Sequence, residues 1–582
     1  MSSLDPTNES EAAADPSLTE TLSRRVADVL VEQLVSAGAK VMFGLPGGAI
    51  SPMHDALHDR SDVRVITTRL EAGAMFAAAG YARMTGAPGV VLVTAGPGVL
   101  NSLTGLASAY AEGLPVILIA GEAARNRFGK NALQDGSSYG MDIVAMARPI
   151  TKMSMEIRDP DLAPSILAEA IRVSVSGRRG PVLLTLPTDV GTSRIRAPKL
   201  SHHVESVPAI DGAAIAAVVE VLEHAKRPVI FAGPGVMRGD GPEHLTDLAS
   251  KLNFPVMTTP TAKGAISEDH PLALGVFGFG SNPSTIDYLS GGVDVVLAIG
   301  TGLGEASTNG WSPLLVPTKH LIQIDSETLQ LGKSYKITHG LSGNISAILG
   351  ELNQQIHSLP AVVEKFGIRR HENAALMTNG PEGLIAPPRA LWELQQLMPA
   401  NTLYTLDIGE HMLFGIHYLE IKEAFGFGLM LGLGSMASGI GSALGVKLGR
   451  PDRPVVAICG DGGFSMAIGD VATAARENIP LVVAVFNDER YGMVEIGHES
   501  VYGRRISYPS GTLDIARLAQ GVGAQSLLVE HAGELESLDL LSRLEKGPVV
   551  IDIRIDRAVR MPQNARNKYL KTAIAENKRI VN

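Results

Sequence analysis

RPVVAICGDGGFSMAIGDVATAARENIPLVVAVFND, residues 453–488, decides the architecture of this chain. Residues 455–459 form a short, apolar, β-branched run of the kind found in strands buried on both faces. The run breaks at Gly460-Asp461-Gly462-Gly463, an amphipathic helix follows, and a second apolar run ends in Asn487-Asp488. In a parallel sheet both strand ends emerge on one edge, where open α/β folds bind ligands. Asp461 and Asp488 can therefore converge on one hard cation, while the glycines let a phosphate approach the backbone amides. A divalent ion between side-chain oxygens and a diphosphate is ordinary magnesium chemistry. Gly-Asp-Gly by itself also fits a plain turn; the second strand-end cluster is what separates the two readings.

The same alternation extends outward in both directions. VMFGL, VRVITT, GVVLVTAG, LPVILIAG and GPVLLTLPTDV predict a first unit over 21–191. RPVIFAG, VDVVLAIG and HLIQIDS predict a second over 209–356, and NTLYTLDIG, RPVVAIC, PLVVAVFND and GPVVIDIRI a third over 389–560. The expected fold class is α/β, with three doubly wound parallel-sheet domains. A disordered acidic arm is expected at 1–20, linkers at 192–208 and 357–388, and a polar tail at 561–582. Gly439, Gly441 and Gly445 make a relaxed dinucleotide-type pattern, but the strand before them is poor, and close helix packing explains them better.

Composition narrows the class. A chain of 582 residues exceeds what one core holds, and 45% apolar with 19% charged residues excludes an acid-rich disordered protein. No apolar run reaches the ~20 residues of a membrane span. A net charge of -10 argues against nucleic acid as partner, and the lone Cys459 forbids an internal disulfide framework. A cytoplasmic enzyme is expected.

The 453–488 stretch resembles the cofactor motif of the thiamine-diphosphate-dependent enzymes: Gly-Asp-Gly, a helix, a strand and an Asn pair. PGGAISPM (46–53), RLEAGAMFAAAGYARMTG (69–86), TAGPGVLN (94–101) and RNRFGKNALQD (125–135) bring the chain nearest to the acetolactate synthases and related acyloin-forming enzymes. The resemblance implies pyrimidine-binding, middle and diphosphate-binding domains, in that order. It places Mg2+ on Asp461, Asp488 and the backbone carbonyl of Arg490. Asp488 stands where the family has Asn, which adds a negative charge but keeps an oxygen ligand. Glu71 falls on the activating glutamate, whose carboxyl group favours the imino tautomer of the coenzyme's pyrimidine so that its exocyclic nitrogen can remove the thiazolium C2 proton. Taken alone, Glu71 could simply face a helix dipole.

In GLGSMASGIG, Gly434, Ser435 and Met436 fall at the coenzyme, with Met436 as the bulky residue that bends it; alone, Met436 could be core. DIGEH puts Gly409, Glu410 and His411 near the diphosphate. His411 could donate to phosphate or be structural, and Glu410, replacing a family Gln, must point away from it or be offset. Tyr491, Gly492 and Met493 complete the implied cofactor set. Gln134 matches a glutamine facing the reacting carbon, flanked by Leu133 and Asp135 where Phe and Glu are usual. Gly47 and Gly48 could present amides to an oxyanion, and Val494 falls at the substrate pocket. Lys152 also matches, though strand-end lysines are mostly solvated. Glu495 could face substrate or be a solvated helix glutamate. Gly497 aligns with a family Trp that selects the acceptor, leaving room for a larger or different one. The middle block reads GTGLGEAST at 300–308 where flavin-containing members hold FAD with an Arg-Phe-Asp-Asp-Arg-like stretch, which speaks against FAD.

The implied reaction is decarboxylation of a 2-oxo acid and transfer of the acyl unit to a carbonyl acceptor. Small molecules are the implied partners, with a homodimer as the minimal active unit and a homotetramer as the family's usual form. Simple decarboxylation, carbon–carbon hydrolysis or oxidation on the same cofactor, and a nicotinamide-dependent dehydrogenase, stay open as alternatives.

Overall fold

A computed structural model describes residues 23–196, 210–357, 365–561 and 571. The expected arm at 1–20, most of the first linker and nearly all of the tail lie outside the described residues. Three six-stranded sheets organise the rest, every strand within them parallel to its neighbours. A two-stranded antiparallel pair, Ser23–Arg25 with Arg194–Arg196, ties the ends of the first unit together.

Across the first sheet the strands run Arg64–Thr67, Val41–Gly44, Gly89–Val93, Val116–Glu122, Val182–Pro187, Met153–Glu156. In order of chain position this is 2-1-3-4-6-5. The third sheet repeats that order with Phe427–Leu429, Leu403–Leu406, Val455–Gly460, Val482–Asn487, Val549–Arg554 and Gln525–Val529. The middle sheet is wound 3-2-1-4-5-6: Ala273–Val276, Val256–Thr258, Pro228–Ala232, Val295–Ile299, His320–Asp325, His339–Ser342. Each order reverses direction beside its first strand, which opens a crevice at the carboxyl ends there.

The central strands are the ones legible as continuous apolar runs, being covered on both faces. The sequence reading passed over Met153–Glu156, Val256–Thr258, Ala273–Val276, His339–Ser342, Phe427–Leu429 and Gln525–Val529. Five of these six are edge strands and several are three or four residues long, so fewer apolar side chains mark them. Within the expected linker at 357–388, residues near Ile385 dock on the third unit: the Ile385 amide donates to the Glu530 carbonyl at 2.7 Å, and its side chain is fully buried. Among the described residues no helix is long and apolar enough to cross a membrane.

The first and third units share one continuous core, running from Phe43, Ile66 and Met75 to Ile440, Leu444 and Phe464. Its centre is the crossing of two helices, Glu71–Thr85 and Ser438–Gly449. Both are buried on nearly every side, as EAGAMFAAAGYA and SGIGSALG allow. A Cβ at Gly445 would lie 1.8 Å from the Ala77 carbonyl oxygen, and one at Gly80 would lie 2.3 Å from that of Ser442. The glycines at 441 and 445 thus face Phe76 and Ala77 across a helix seam, which is the packing role.

Gly445→Ala should therefore lower unfolding free energy by about 1–3 kcal/mol through overpacking against backbone. Gly521→Ala, where nothing lies within 4 Å, should cost little. Denaturant titrations of both variants check the contrast.

Candidate active site

In the third unit the crevice opens between Leu403–Leu406 and Val455–Gly460. Asp407 stands at the end of the first of these strands and is 1% exposed. Its Oδ1 accepts from the amides of Ser438 and Gly439 at 2.9 and 3.2 Å, and its Oδ2 from that of Ala437 at 3.0 Å. The carboxylate therefore caps the start of Ser438–Gly449 and pins Met436 beside the Gly-Asp-Gly turn. Ala437 takes the left-handed conformation, φ 68°, to make this bend. The sequence reading quoted DIGEH without singling out its aspartate; an acidic residue at a strand end, followed by a small-residue helix start, was the available signal.

Asp461 heads the helix Asp461–Arg476, and its Oδ2 accepts from the Ser510 hydroxyl. Asp488 follows the adjacent strand, Val482–Asn487, and its Oδ2 accepts from Arg490 Nε at 2.7 Å. Burial pushes Asp461 up to about 6, with Asp488's charge adding to it and the Ser510 bond opposing. Asp488 is also raised by burial, against the pull of Arg490. Two carboxylates both raised by burial, one of them raised further by the other, are a charge distribution that a cation relieves. Among the described residues no three His, Cys, Asp or Glu side chains gather around one metal position. The set named from the sequence holds two carboxylates and one backbone carbonyl, that of Arg490.

Around these acids glycines let side chains close directly on the backbone. A Cβ at Gly462 would sit 2.7 Å from the Tyr491 ring and 3.3 Å from Met436 Cε, so Gly462, Tyr491 and Met436 meet. A Cβ at Gly492 would meet Asp488 Oδ2 at 2.9 Å and Glu410 Oε2 at 3.0 Å, and one at Gly463 would collide with Asp407. Such a cradle fits a diphosphate and a small cation. Gly434 is left-handed, φ 71°, Ser435 Oγ donates to the Met436 carbonyl, and Met493 packs against the apolar cluster around Leu406, Phe414 and Phe486. Glu410 turns toward Asp488, Arg490 and Arg560, and burial with Asp488 raises it to about 7.

Three residues with two open readings are narrowed. His411 is not a phosphate donor: its buried ring shares Nε2 with the Asp407 carbonyl at 3.0 Å, and burial lowers it to about 4, so the one proton of the neutral ring is committed there. Its ring also fills the space beside Gly409 and Gly460. Glu495 is not a solvated glutamate; it is 2% exposed, and Oε1 accepts from the Tyr508 amide at 2.7 Å and Ser507 Oγ at 3.2 Å. Lys152 donates to the carbonyls of Val173, in the last turn of Ala163–Val175, and of Ser176 just past it, a helix C-terminal role.

The first unit carries a second group. Glu71 begins its helix, is 6% exposed, and accepts from Asn101 Nδ2 at 3.0 Å. Asn101 went unremarked, although TAGPGVLN ends on it. Gly47 lies against Thr94, and Gly96 against Gln134 and Met141, at the crevice between Val41–Gly44 and Gly89–Val93. Gln134 is held left-handed, φ 60°, and Gly48 opens a short 3-10 turn. Among the described residues no hydrogen bond joins this group to the one around Asp461. Within one chain their helices touch instead at Gly73, where a Cβ would lie 2.0 Å from Asp470 Oδ1. Leu70, Leu100, Leu133 and Met141 beside the first group, and Leu433, Met466 and Val494 beside the second, are exposed.

Three family models match the chain: thiamine pyrophosphate enzyme N-terminal TPP binding domain over 24–146, central domain over 215–352, and C-terminal TPP binding domain over 407–553. A probable acetolactate synthase large subunit of Methanocaldococcus jannaschii is 32% identical, over 92% of this chain and 93% of its own. The acetolactate synthase large subunit of Buchnera aphidicola is 31% identical, over 91% and 94%. Among solved structures, a thiamine diphosphate-dependent 4-hydroxybenzoylformate decarboxylase of Rhodococcus jostii superposes with a TM-score of 0.81 at 22% identity, covering 92% of this chain and 99% of that one. This last likeness is one of fold.

Asp470 offers a pH test. Burial, with Asp407's charge, raises it from 3.8 to about 7. A carboxyl that is harder to ionise when folded costs stability as pH rises from its unfolded value through its folded one. Asp470→Asn should flatten this loss, so that the variant gains on wild type between about pH 4 and about pH 7 in urea titrations.

Proposed function

Because the chain belongs to the thiamine pyrophosphate enzymes and resembles acetolactate synthases over most of its length, we propose that it decarboxylates a 2-oxo acid and joins the acyl unit to a second carbonyl compound. The observation that carries this reading is the pairing of a glycine cradle under two buried carboxylates with a separate buried glutamate, Glu71, held by Asn101. Bound in such a site, thiamine diphosphate supplies the electron sink for decarboxylation.

The chain's own residues do the rest. Asp461, Asp488 and the Arg490 carbonyl hold Mg2+ against the diphosphate. Gly462 and Gly492, beside the two acids, offer the phosphates backbone amides, while Gly409 and Gly460 make room for the His411 ring and Gly463 for Asp407. Met436 and Tyr491 pack where Gly462 has no side chain, which shapes the bend of the coenzyme and orients it. Glu71 keeps a proton at the pyrimidine N1′. Gln134 and the amides of Gly47 and Gly48 face the reacting carbonyl, and Val494 bounds the acceptor pocket. Glu410 stays away from the phosphates, turned to the arginines beside Asp488. FAD has no role in this reading, because 300–308 lacks an arginine that could hold it.

A homodimer is the minimal unit on this reading, assembling as a homotetramer. The exposed apolar residues beside both groups support it: Leu133 is 89% and Val494 55% exposed in the single chain, and a partner would cover them while bringing Glu71 to the Gly-Asp-Gly turn.

Product analysis with pyruvate, alone and with aldehyde or 2-oxo acid acceptors, tests the reaction: a hydroxy-ketone product is expected, and free aldehyde alone would favour simple decarboxylation. Glu71→Gln should keep the coenzyme bound but slow both product formation and C2 deuterium exchange about 10²-fold or more, the usual scale for losing one acid–base group. Unchanged exchange would remove Glu71 from the mechanism.

A further inference from the structure

The side chain of Arg490 is a feature that the family reading leaves unused, since that reading takes only its carbonyl. The side chain is 4% exposed and sits among carboxylates. Nε donates to Asp488 Oδ2 at 2.7 Å, one terminal nitrogen donates to the Arg557 carbonyl at 2.9 Å, and the other lies 3.5 Å from Glu495 Oε2. Glu495 is served elsewhere, by the Tyr508 amide, Ser507 Oγ and Arg505, the last at 3.5 Å. Glu410 also faces the guanidinium, together with Arg560. The short contact of Arg490 is thus with Asp488, and the Arg557 carbonyl fixes the guanidinium from behind.

We propose that Arg490 is a positioning and charge-balancing residue for the cation site: its guanidinium turns the Asp488 carboxylate into a ligand of nearly neutral net charge, with Oδ2 held and Oδ1 left for the metal. The inference rests on the thiamine pyrophosphate reading of the site. It follows from simple electrostatics. A dication, Asp461, Asp488 and a diphosphate would crowd several full charges into one buried volume, and a neighbouring cation restores the balance that a neutral amide ligand gives without help. The two residues are therefore coupled, and neither is free to change alone. Asp488→Asn, although chemically mild, strands a buried guanidinium beside the metal.

Equilibrium binding of Mn2+ as the probe, followed by electron paramagnetic resonance on the full chain with thiamine diphosphate present, tests this without reference to turnover. Asp488→Asn should weaken Mn2+ binding about tenfold or more, since the site loses one full negative charge and keeps the guanidinium that this charge offset. Adding Arg490→Met in the same chain should return affinity to within about threefold of wild type. Asp488→Asn with Arg490→Lys, which keeps the positive charge, should stay weak, and metal-free melting curves identify any variant that fails to fold. Asp488→Asn binding Mn2+ as tightly as wild type would overturn the proposal, and that single variant decides it even if a double variant is unstable. So would a folded Asp488→Asn, Arg490→Met protein no better than Asp488→Asn. Wild-type protein that binds no Mn2+ with the coenzyme present would instead overturn the cofactor reading itself, and this proposal with it.

Discussion

The crossing of Glu71–Thr85 over Ser438–Gly449 is the constraint on which the other features depend. Gly80 and Gly445 let helix meet helix at backbone distance, and each stands where a single methyl group would collide with a carbonyl. That closeness merges two sheets into one core and fixes the start of each helix. One start presents Glu71. The other is capped by Asp407, which in turn sets Met436 beside Gly462. Small residues at the seam thus decide where large and charged ones stand at the crevices.

The cation site shows how a buried cluster of acids is kept from being merely unstable. Asp488 raises the proton affinity of Asp461, Glu410 adds a third carboxyl, and Arg490, Arg560 and the Ser510 hydroxyl offset part of the repulsion. The remaining imbalance favours a cation. Stability and ligand affinity are linked here: what is unfavourable in the empty protein is relieved on binding.

Much of this could be read before any coordinates. The central strands are near-continuous apolar runs, and strand-end spacing alone brought Asp461 and Asp488 to one edge. Edge strands such as Phe427–Leu429 and His339–Ser342 escaped because a strand covered by a neighbour on one side only needs fewer apolar residues. Side-chain orientation escaped as well, for a different reason. Nothing in the order of residues says that His411 will spend its proton on a carbonyl four residues back, or that Glu495 will reach Tyr508. Such bonds depend on how loops fold back, and loops carry little periodicity. The roles of Asp407 and Asn101 are not marked in the order of residues, since their partners are fixed only once helices have packed.

The first and third sheets share one winding order, and the two helices of the seam hold equivalent places in it, each following the second strand of its sheet. The join therefore has the character of an approximate twofold axis inside a single chain, with like meeting like. A disturbance at this seam therefore shifts the starts of both helices together, moving Glu71 at one crevice and Met436 at the other in the same stroke.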